Sequence, residues 1–347
     1  MKEIYLDEVP FKEQLFPFAL IRHVADIRVG ILTIREKWEK LLGTAVSTFK
    51  SDGQQAVPAN LLPSKTFFKS FNQRQNSSLI ESDFESIRTI NYPWDIFINN
   101  DWAIREDYKL LTSNRYTEPI PETVHVSCPS QIFIEAGAKV AHCNLNASTG
   151  PIYVGKNAEI MEGSLIRGPF ALCEGSVVKM GSKIYGATTI GPFSIVGGEI
   201  KNSVVFGYSN KAHDGYLGDS VIGEWCNMGA GTSNSNLKNN AGEVRVWQQN
   251  SGLYQPAGQK CGVLLGDYSR CAINTSFNTG TVVGICSNVY GEGLTPKFIP
   301  SFTWGTKGLS VYEFQKAVSD IRNWKKLKAR VLSEKEIELL KTIFDQP

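Results

Sequence analysis

From Val154, every sixth residue is aliphatic at eight successive positions: Val154, Ile160, Ile166, Leu172, Val178, Ile184, Ile190 and Val196. Aliphatic residues fill about a quarter of the positions in ordinary chains, so chance yields such a run on the order of one time in ten thousand or fewer. The period opens at Ile134 and Val140. It returns, with one five-residue step, at Leu217, Ile222 and Met228, and again at Leu265, Cys271, Phe277, Val283 and Val289. Six matches neither the 3.6 of a helix nor the 2 of a strand. It fits a coil of triangular cross-section, with one short strand on each side and the aliphatic residue turned inward. Stacked coils then bury a continuous aliphatic column and pair their backbones from coil to coil.

The other positions of the repeat are restricted too. Glycine often follows the aliphatic residue (Gly155, Gly191, Gly223, Gly266), and the fifth position is small (Ala158, Ser164, Ser176, Ser182, Thr188, Ser194). A small residue suits a tight corner, and glycine suits backbone conformations closed to other residues. The repeat predicts one parallel β-helix over about 134–291.

The flanks are composed differently. Before the repeat, IYLD reads as a strand, ILTIREKWEKLLG as a helix ending at Gly43, and Trp94–Leu111 as a second helix with Pro93 near its start. Residues 51–80, rich in Ser, Gln, Asn and Pro, read as an irregular connection. After the repeat, Ser310-Val-Tyr-Glu313 and Ser333-Glu-Lys-Glu336 have the spacing of capping boxes and predict two helices. The stripe Val311, Phe314, Val318, Ile321, Trp324, Leu327 predicts a packing face that covers the open end of the β-helix or a neighbouring subunit. The expected organisation is residues 1–120, 121–305 and 306–347: a small α/β segment, the β-helix, and C-terminal helices, mainly β as a whole.

A formal charge of +2 favours neither nucleic acid nor an anionic membrane surface. No apolar run reaches the roughly 18 residues that span a bilayer, and the N-terminus lacks a signal-peptide core. Seven scattered cysteines without a CxxC pair predict reduced thiols in a cytoplasmic protein and no metal site.

The hexapeptide pattern resembles the signature of the left-handed β-helix acyltransferases, and the left-handed sense of the coil comes from that resemblance. The stretch from Ile200 to Thr232, including Lys-Ala-His213-Asp-Gly-Tyr216-Leu-Gly-Asp and Asn227-Met-Gly-Ala-Gly-Thr232, is similar to the acetyltransferase site of a bifunctional family. That family acetylates glucosamine 1-phosphate and then joins it to a uridylyl group. The similarity continues through Leu265-Gly-Asp267 to Gly291. Position by position, the resemblance implies that Lys183 and Lys201 hold a sugar phosphate, with Tyr216 and Asn227 on the sugar. It makes His213 the general base, puts Asn236 beside the reacting amine, and sets Ala230 and Ile273 against the acyl donor, acetyl-coenzyme A. It also implies a homotrimer with sites between subunits. The chain departs from the family at Leu237, where a tyrosine is expected, at Ile273, where a serine is expected, and in an insertion around 238–260 that lengthens the next loop.

The stretch Leu15-Phe-Pro-Phe-Ala-Leu-Ile-Arg22-His-Val24-Ala-Asp-Ile-Arg-Val29 resembles the sugar-phosphate nucleotidyltransferases. That family's glycine-rich loop is replaced by LDEVPFKEQ, and its Pro-Lys pair by His23-Val24. An acidic loop without glycine presents no converging amides to phosphates, so the segment reads as a degenerate remnant.

Acyl transfer from a thioester to an amine needs a base for the amine's proton. An imidazole, ordinarily titrating near 6.5, suits that role. Three readings stay open from the sequence. One is an acyl-CoA-dependent N-acyltransferase acting on an aminosugar phosphate or nucleotide sugar. Another is a non-catalytic β-helix that binds or regulates. The third and weaker reading is a sugar-1-phosphate nucleotidyltransferase.

Overall fold

The computed structural model describes residues 3–73 and 87–346. Among these, the middle of the chain winds into a parallel β-helix whose strands gather into a nine-stranded, a ten-stranded and a six-stranded sheet. Val154 pairs with Leu172, and Leu172 with Ile190, so three hexapeptides complete one coil. The aliphatic residues of the period all lie in one buried cluster, from Ile134 to Val289. The small corner residues Ser164, Ser176, Ser182, Thr188 and Ser194 are fully buried. Their hydroxyls donate to backbone carbonyls nearby, as Ser182 does to Lys179 at 2.6 Å and Ser194 to Phe206 at 2.6 Å.

The glycines after the aliphatic residue serve a different purpose from the one expected. Gly155 does not have a left-handed backbone; a Cβ there would sit 2.8 Å from the Glu174 nitrogen of the next coil. Close stacking of coils excludes the side chain. Left-handed conformations fall instead on a separate corner column that includes Asn157, Phe193, Tyr208, Trp225, Tyr268, Cys286 and Phe302.

The three faces differ in what lies outside them. On the nine-stranded sheet three consecutive residues are buried in strand after strand, as at Ile152–Val154 and Phe170–Leu172. The N-terminal segment lies on its outside: Phe18, Ile27 and Trp38 share a cluster with Val204, Phe206, Val221, Leu264 and Val282. On the six-stranded sheet only the middle residue is buried, as at Leu165–Arg167 and Lys183–Tyr185, and this face is open.

The N-terminal segment holds a parallel pair, Ile4–Asp7 with Gln55–Pro58, and an antiparallel pair, Leu61–Leu62 with Arg88–Thr89. Helix α1 (Ile34–Leu42) starts at a Thr33–Glu36 capping box and ends on left-handed Gly43. Residues 51–80 are more ordered than an irregular connection, because they carry Gln55–Pro58, Leu61–Leu62 and helix α2 (Lys65–Gln73). The helix expected over 94–111 divides into α3 (Asp95–Ile98) and α4 (Asn100–Thr112). Asn99 separates them, its side-chain amide donating to the carbonyls of Asp95 at 2.9 Å and Thr89 at 3.3 Å.

The C-terminal helices are α5 (Phe314–Leu327) and α6 (Glu334–Phe344). The Ser333–Glu336 capping box forms, whereas Ser310 caps nothing. Ser310–Val311 instead pairs antiparallel with Thr303–Trp304, so tertiary pairing with the last coil overrides the local cap. Val311 and Leu327 are exposed, while Phe314, Val318 and Ile321 pack on Trp225, Tyr268, Cys286 and Phe302. Thus α5 runs along a corner of the β-helix rather than spreading over its end. Its 14 residues span about 21 Å, which matches four to five coils at about 4.8 Å each. Lys325 sits over the Trp225 and Tyr268 rings, and Arg330, just beyond the helix, over Phe193 and Tyr208. Among the described residues no helix is long and apolar enough to cross a membrane, and all seven cysteines are free thiols.

Candidate active site

The alternation of the open face decides which side chains can meet there. Lys183 pairs with Glu199 and Glu199 with Tyr216, forming one outward column. Tyr185, Lys201 and Gly218 form the next. The face thus brings Lys183, Lys201 and Tyr216 together and sets the Glu199 carboxylate between Lys183 and Tyr216. Both lysines are exposed.

Asn236 joins this group from the following coil. Its amide donates to the Tyr216 hydroxyl at 3.1 Å and to the Asp219 carboxylate. Asp219 also accepts from Asn202 at 2.6 Å, so one buried carboxylate ties three loops together. Burial, with Asp219 and Glu199 nearby, pushes the Tyr216 hydroxyl above its ordinary pKa and keeps it protonated.

His213 lies at the corner just before the Tyr216–Gly218 strand and is exposed to solvent. Its turn is fixed from within. Lys211 occupies an inward position of the repeat, paired with Val196, and is 2% exposed. Its ammonium donates to the His213 carbonyl at 2.5 Å and the Gly197 carbonyl at 3.2 Å. Burial lowers its pKa to about 8.

Asn227 does not share the open face. It points outward from the ten-stranded face, in register with Asn210 and Arg270. Within one chain it is separated from Lys183, Lys201 and Tyr216 by the corner that carries His213.

Ala230 and Ile273 are neighbours on that same corner, where Ala230 accepts from the Asn274 amide at 2.7 Å. Ile273 is 68% exposed. The turn Met228-Gly-Ala-Gly-Thr232 does not leave its backbone generally open to a ligand. Gly229, Gly231 and Thr232 donate to Cys271, Asp214 and Gly229 carbonyls, and a Cβ at Gly229 would lie 2.4 Å from the Ile273 nitrogen. These glycines serve coil stacking.

Sequence reasoning missed several groups. Lys211 was hidden because the period there shows a lysine where an aliphatic belongs; that anomaly was itself the available signal. Arg167, Tyr185 and His125 line an open groove with Lys183 farther down the same face, and only knowledge of which face is bare reveals them. The insertion around 238–260 folds into a hairpin, Arg245–Gln248 against Leu253–Pro256. Val244, Val246 and Ala257 join the N-terminal core, so it braces the covered face rather than simply lengthening a loop. Among the described residues, no cluster of His, Cys, Asp and Glu could hold a metal ion.

In the N-terminal segment Arg22 turns into the β-helix. It meets the buried Asp267 at 2.6 Å and Glu224 at 3.6 Å, with its guanidinium over the Phe206 ring. Burial raises the Asp267 carboxyl to about 6 against the pull of Arg22. The Glu8 carboxylate accepts from the Val24 amide at 2.9 Å and lies 2.9 Å from His23 Nδ1. An acid therefore sits against the His23-Val24 pair.

Fold and site define a parallel hexapeptide β-helix with a sugar nucleotidyltransferase-like segment packed on one face. Residues 4–52 and 48–116 match the sugar nucleotidyl transferase family. The bifunctional sugar-1-phosphate nucleotidylyltransferase/acetyltransferase of Sulfurisphaera tokodaii is 35% identical over 92 residues, 26% of this chain and 23% of that protein. The bifunctional protein GlmU of Methanocaldococcus jannaschii is 35% identical over 86 residues, 25% of this chain and 21% of that one. The match therefore spans less than a quarter of either relative. Among solved structures, the UDP-N-acetylglucosamine acyltransferase of Francisella novicida aligns over 65% of this chain and 87% of its own, with 14% identity and a TM-score of 0.29.

Proposed function

We propose that the chain is a transferase that moves an acyl group from a thioester, acetyl-coenzyme A, to the amino group of a sugar phosphate or nucleotide sugar. The observation that carries this reading is the joint placement of His213, Lys183, Lys201, Tyr216 and Asn236 around one corner and its adjoining bare face. Lys183 and Lys201 hold the acceptor's phosphate as point charges. Tyr216, kept protonated, orients the sugar. His213 takes the proton from the amine as its nitrogen attacks the thioester carbonyl, and the thiolate leaves with the coenzyme. Asn236, fixed by Asp219, offers an amide beside the reacting nitrogen. Ala230 and Ile273 give the donor's arm a small, partly apolar ledge.

Asn227 reaches this centre from another copy of the chain, which makes the working form a homotrimer with sites between subunits. A closed cyclic assembly suits a triangular prism. The name of the Sulfurisphaera tokodaii relative, which pairs sugar-1-phosphate nucleotidyl transfer with acetyl transfer, supports the acyl reading. The test is release of free thiol from acetyl-coenzyme A in the presence of a panel of aminosugar phosphates and nucleotide aminosugars. Thiol release dependent on an amino acceptor supports it. Calorimetry showing no binding of acetyl-coenzyme A leaves the non-catalytic β-helix as the reading.

A further inference from the structure

Four deeply buried cations elsewhere in the fold have partners: Arg22 with Asp267, Lys37 with Asp107, Lys325 with Glu336, and Lys211 with two carbonyls. Arg270 does not. It points outward from the ten-stranded face, opposite to the inward Cys271, and is 9% exposed. Its guanidinium lies 5.3 Å from the Trp324 ring of α5. Among the described residues, no acceptor meets any of its nitrogens, and Nε and Nη2 are wholly buried. The carboxylate of Asp320 on α5 is engaged by the Tyr312 hydroxyl instead. Burial accordingly lowers the Arg270 pKa. A desolvated, unpaired guanidinium is costly in a fold unless something anionic completes it.

Its neighbours say what that something is. Arg270 stands in register between Asn227 and Asn288, both half-buried and therefore reachable. Asn227 receives only the Asn210 amide on its oxygen, at 3.5 Å, and its own amide donates to nothing among the described residues. The Asn288 side chain has no partner there either. Three unused donor groups thus stand on three successive strands, about 4.8 Å apart. Of the guanidinium nitrogens Nη1 is the one not wholly enclosed, so an oxyanion meets Arg270 through one oxygen. The two oxygens of a carboxylate lie in one plane, whereas a phosphoryl group presents three oxygens in three directions, one for each of the three donor groups.

We infer that Arg270, Asn227 and Asn288 form a phosphate-binding subsite walled by Trp324, on a different face of the chain from Lys183 and Lys201 and, in the proposed trimer, bordering the acyl-transfer centre through Asn227. The phosphoryl group belongs either to free phosphate or to a sugar phosphate, and the two sources can be told apart. The inference stands whether or not the protein transfers an acyl group.

The test uses the full chain and inorganic phosphate, with chloride at matched ionic strength as control. Phosphate should raise Tm by roughly 2 °C or more near saturation. Arg270→Met should abolish that rise and, in chloride, unfold at the parent's temperature or above, because it removes an unpaired buried charge. Calorimetric titration of phosphate into the parent needs no variant. Absence of binding there, or an Arg270→Met protein that keeps the phosphate-specific rise, overturns the subsite. In a second arm a hexosamine 1-phosphate is added to the phosphate-loaded protein. Displacement that depends on Arg270 assigns the subsite to a sugar phosphate, and retention of phosphate assigns it to the free ion.

Discussion

The Lys211 ammonium, inside the β-helix, holds the backbone carbonyl of His213, on its surface, at 2.5 Å. A residue that interrupts the aliphatic column thereby fixes the turn that presents the proposed base. Replacement by methionine, which the column accepts at Met228, should preserve the fold. The turn would lose its tie, and kcat should fall by roughly tenfold to a hundredfold with KM little changed. Lys211 in the fold titrates near 8, against about 10.4 in an unfolded chain. Between those values the unfolded chain binds the extra proton, so stability rises with pH from about 8 to about 10. Lys328, also lowered to about 8, contributes in the same direction. Urea unfolding of Lys211→Met across this range should show a smaller rise than the parent. An unchanged slope would count against burial of the ammonium.

Ile184 tests the column itself. It is 2% exposed and stacked between Ile166 and Ile200. Aspartate there has no backbone acceptor arrangement like that of Lys211, and an unpaired buried carboxylate costs several kcal/mol. Ile184→Asp should lose its cooperative thermal transition and partition into the insoluble fraction. A soluble variant melting with the parent would show the side chain is not inside.

The β-helix was legible because its rule is local. One residue in six turns inward and is, with exceptions such as Lys211, apolar whatever surrounds the coil, and every such position the period named is buried. What lies against each face was not legible. Tyr153 and Tyr185 both alternate with inward aliphatic residues, yet one packs under the N-terminal segment and the other faces solvent. That difference is set by residues distant in the chain, Ile31, Leu32 and Ile104 among them. Ser310 failed as a cap for a similar reason, because the last coil offered it a strand partner. Within the site, the spacing that groups Lys201, His213 and Tyr216 was visible, whereas the separation of Asn227 depends on which side of a corner its strand falls.

Arg22 provides a check on the N-terminal segment. Its pairing with the buried Asp267 joins that segment to the β-helix. Removing one partner of a buried pair strands the other, so Arg22→Met should destabilise the protein by about 3–5 kcal/mol in urea unfolding. Arg22 is committed to Asp267 and Glu8 sits on the Val24 amide, so this stretch offers a triphosphate an acid where a cation is needed and its arginine is already engaged. Incubation with sugar 1-phosphates and each nucleoside triphosphate should release no pyrophosphate. Release above the buffer blank would refute this and restore the nucleotidyltransferase reading.

The proposed chemistry rests finally on His213 and Lys201, which should fail in different ways. His213 is exposed and its side chain makes no hydrogen bond or ion pair among the described residues, so His213→Ala should melt with the parent and bind coenzyme A as well. Its acetylation rate should drop a hundredfold or more, since a positioned base contributes that much to the proton transfer. Lys201 is proposed to touch the acceptor's phosphate in the ground state and the transition state alike. Lys201→Ala should therefore raise the acceptor KM while leaving kcat near the parent's. Steady-state kinetics with the best acceptor separate the two. An alanine variant at 213 that acetylates as fast as the parent removes histidine from the mechanism, and a Lys201→Ala effect confined to kcat removes the phosphate contact.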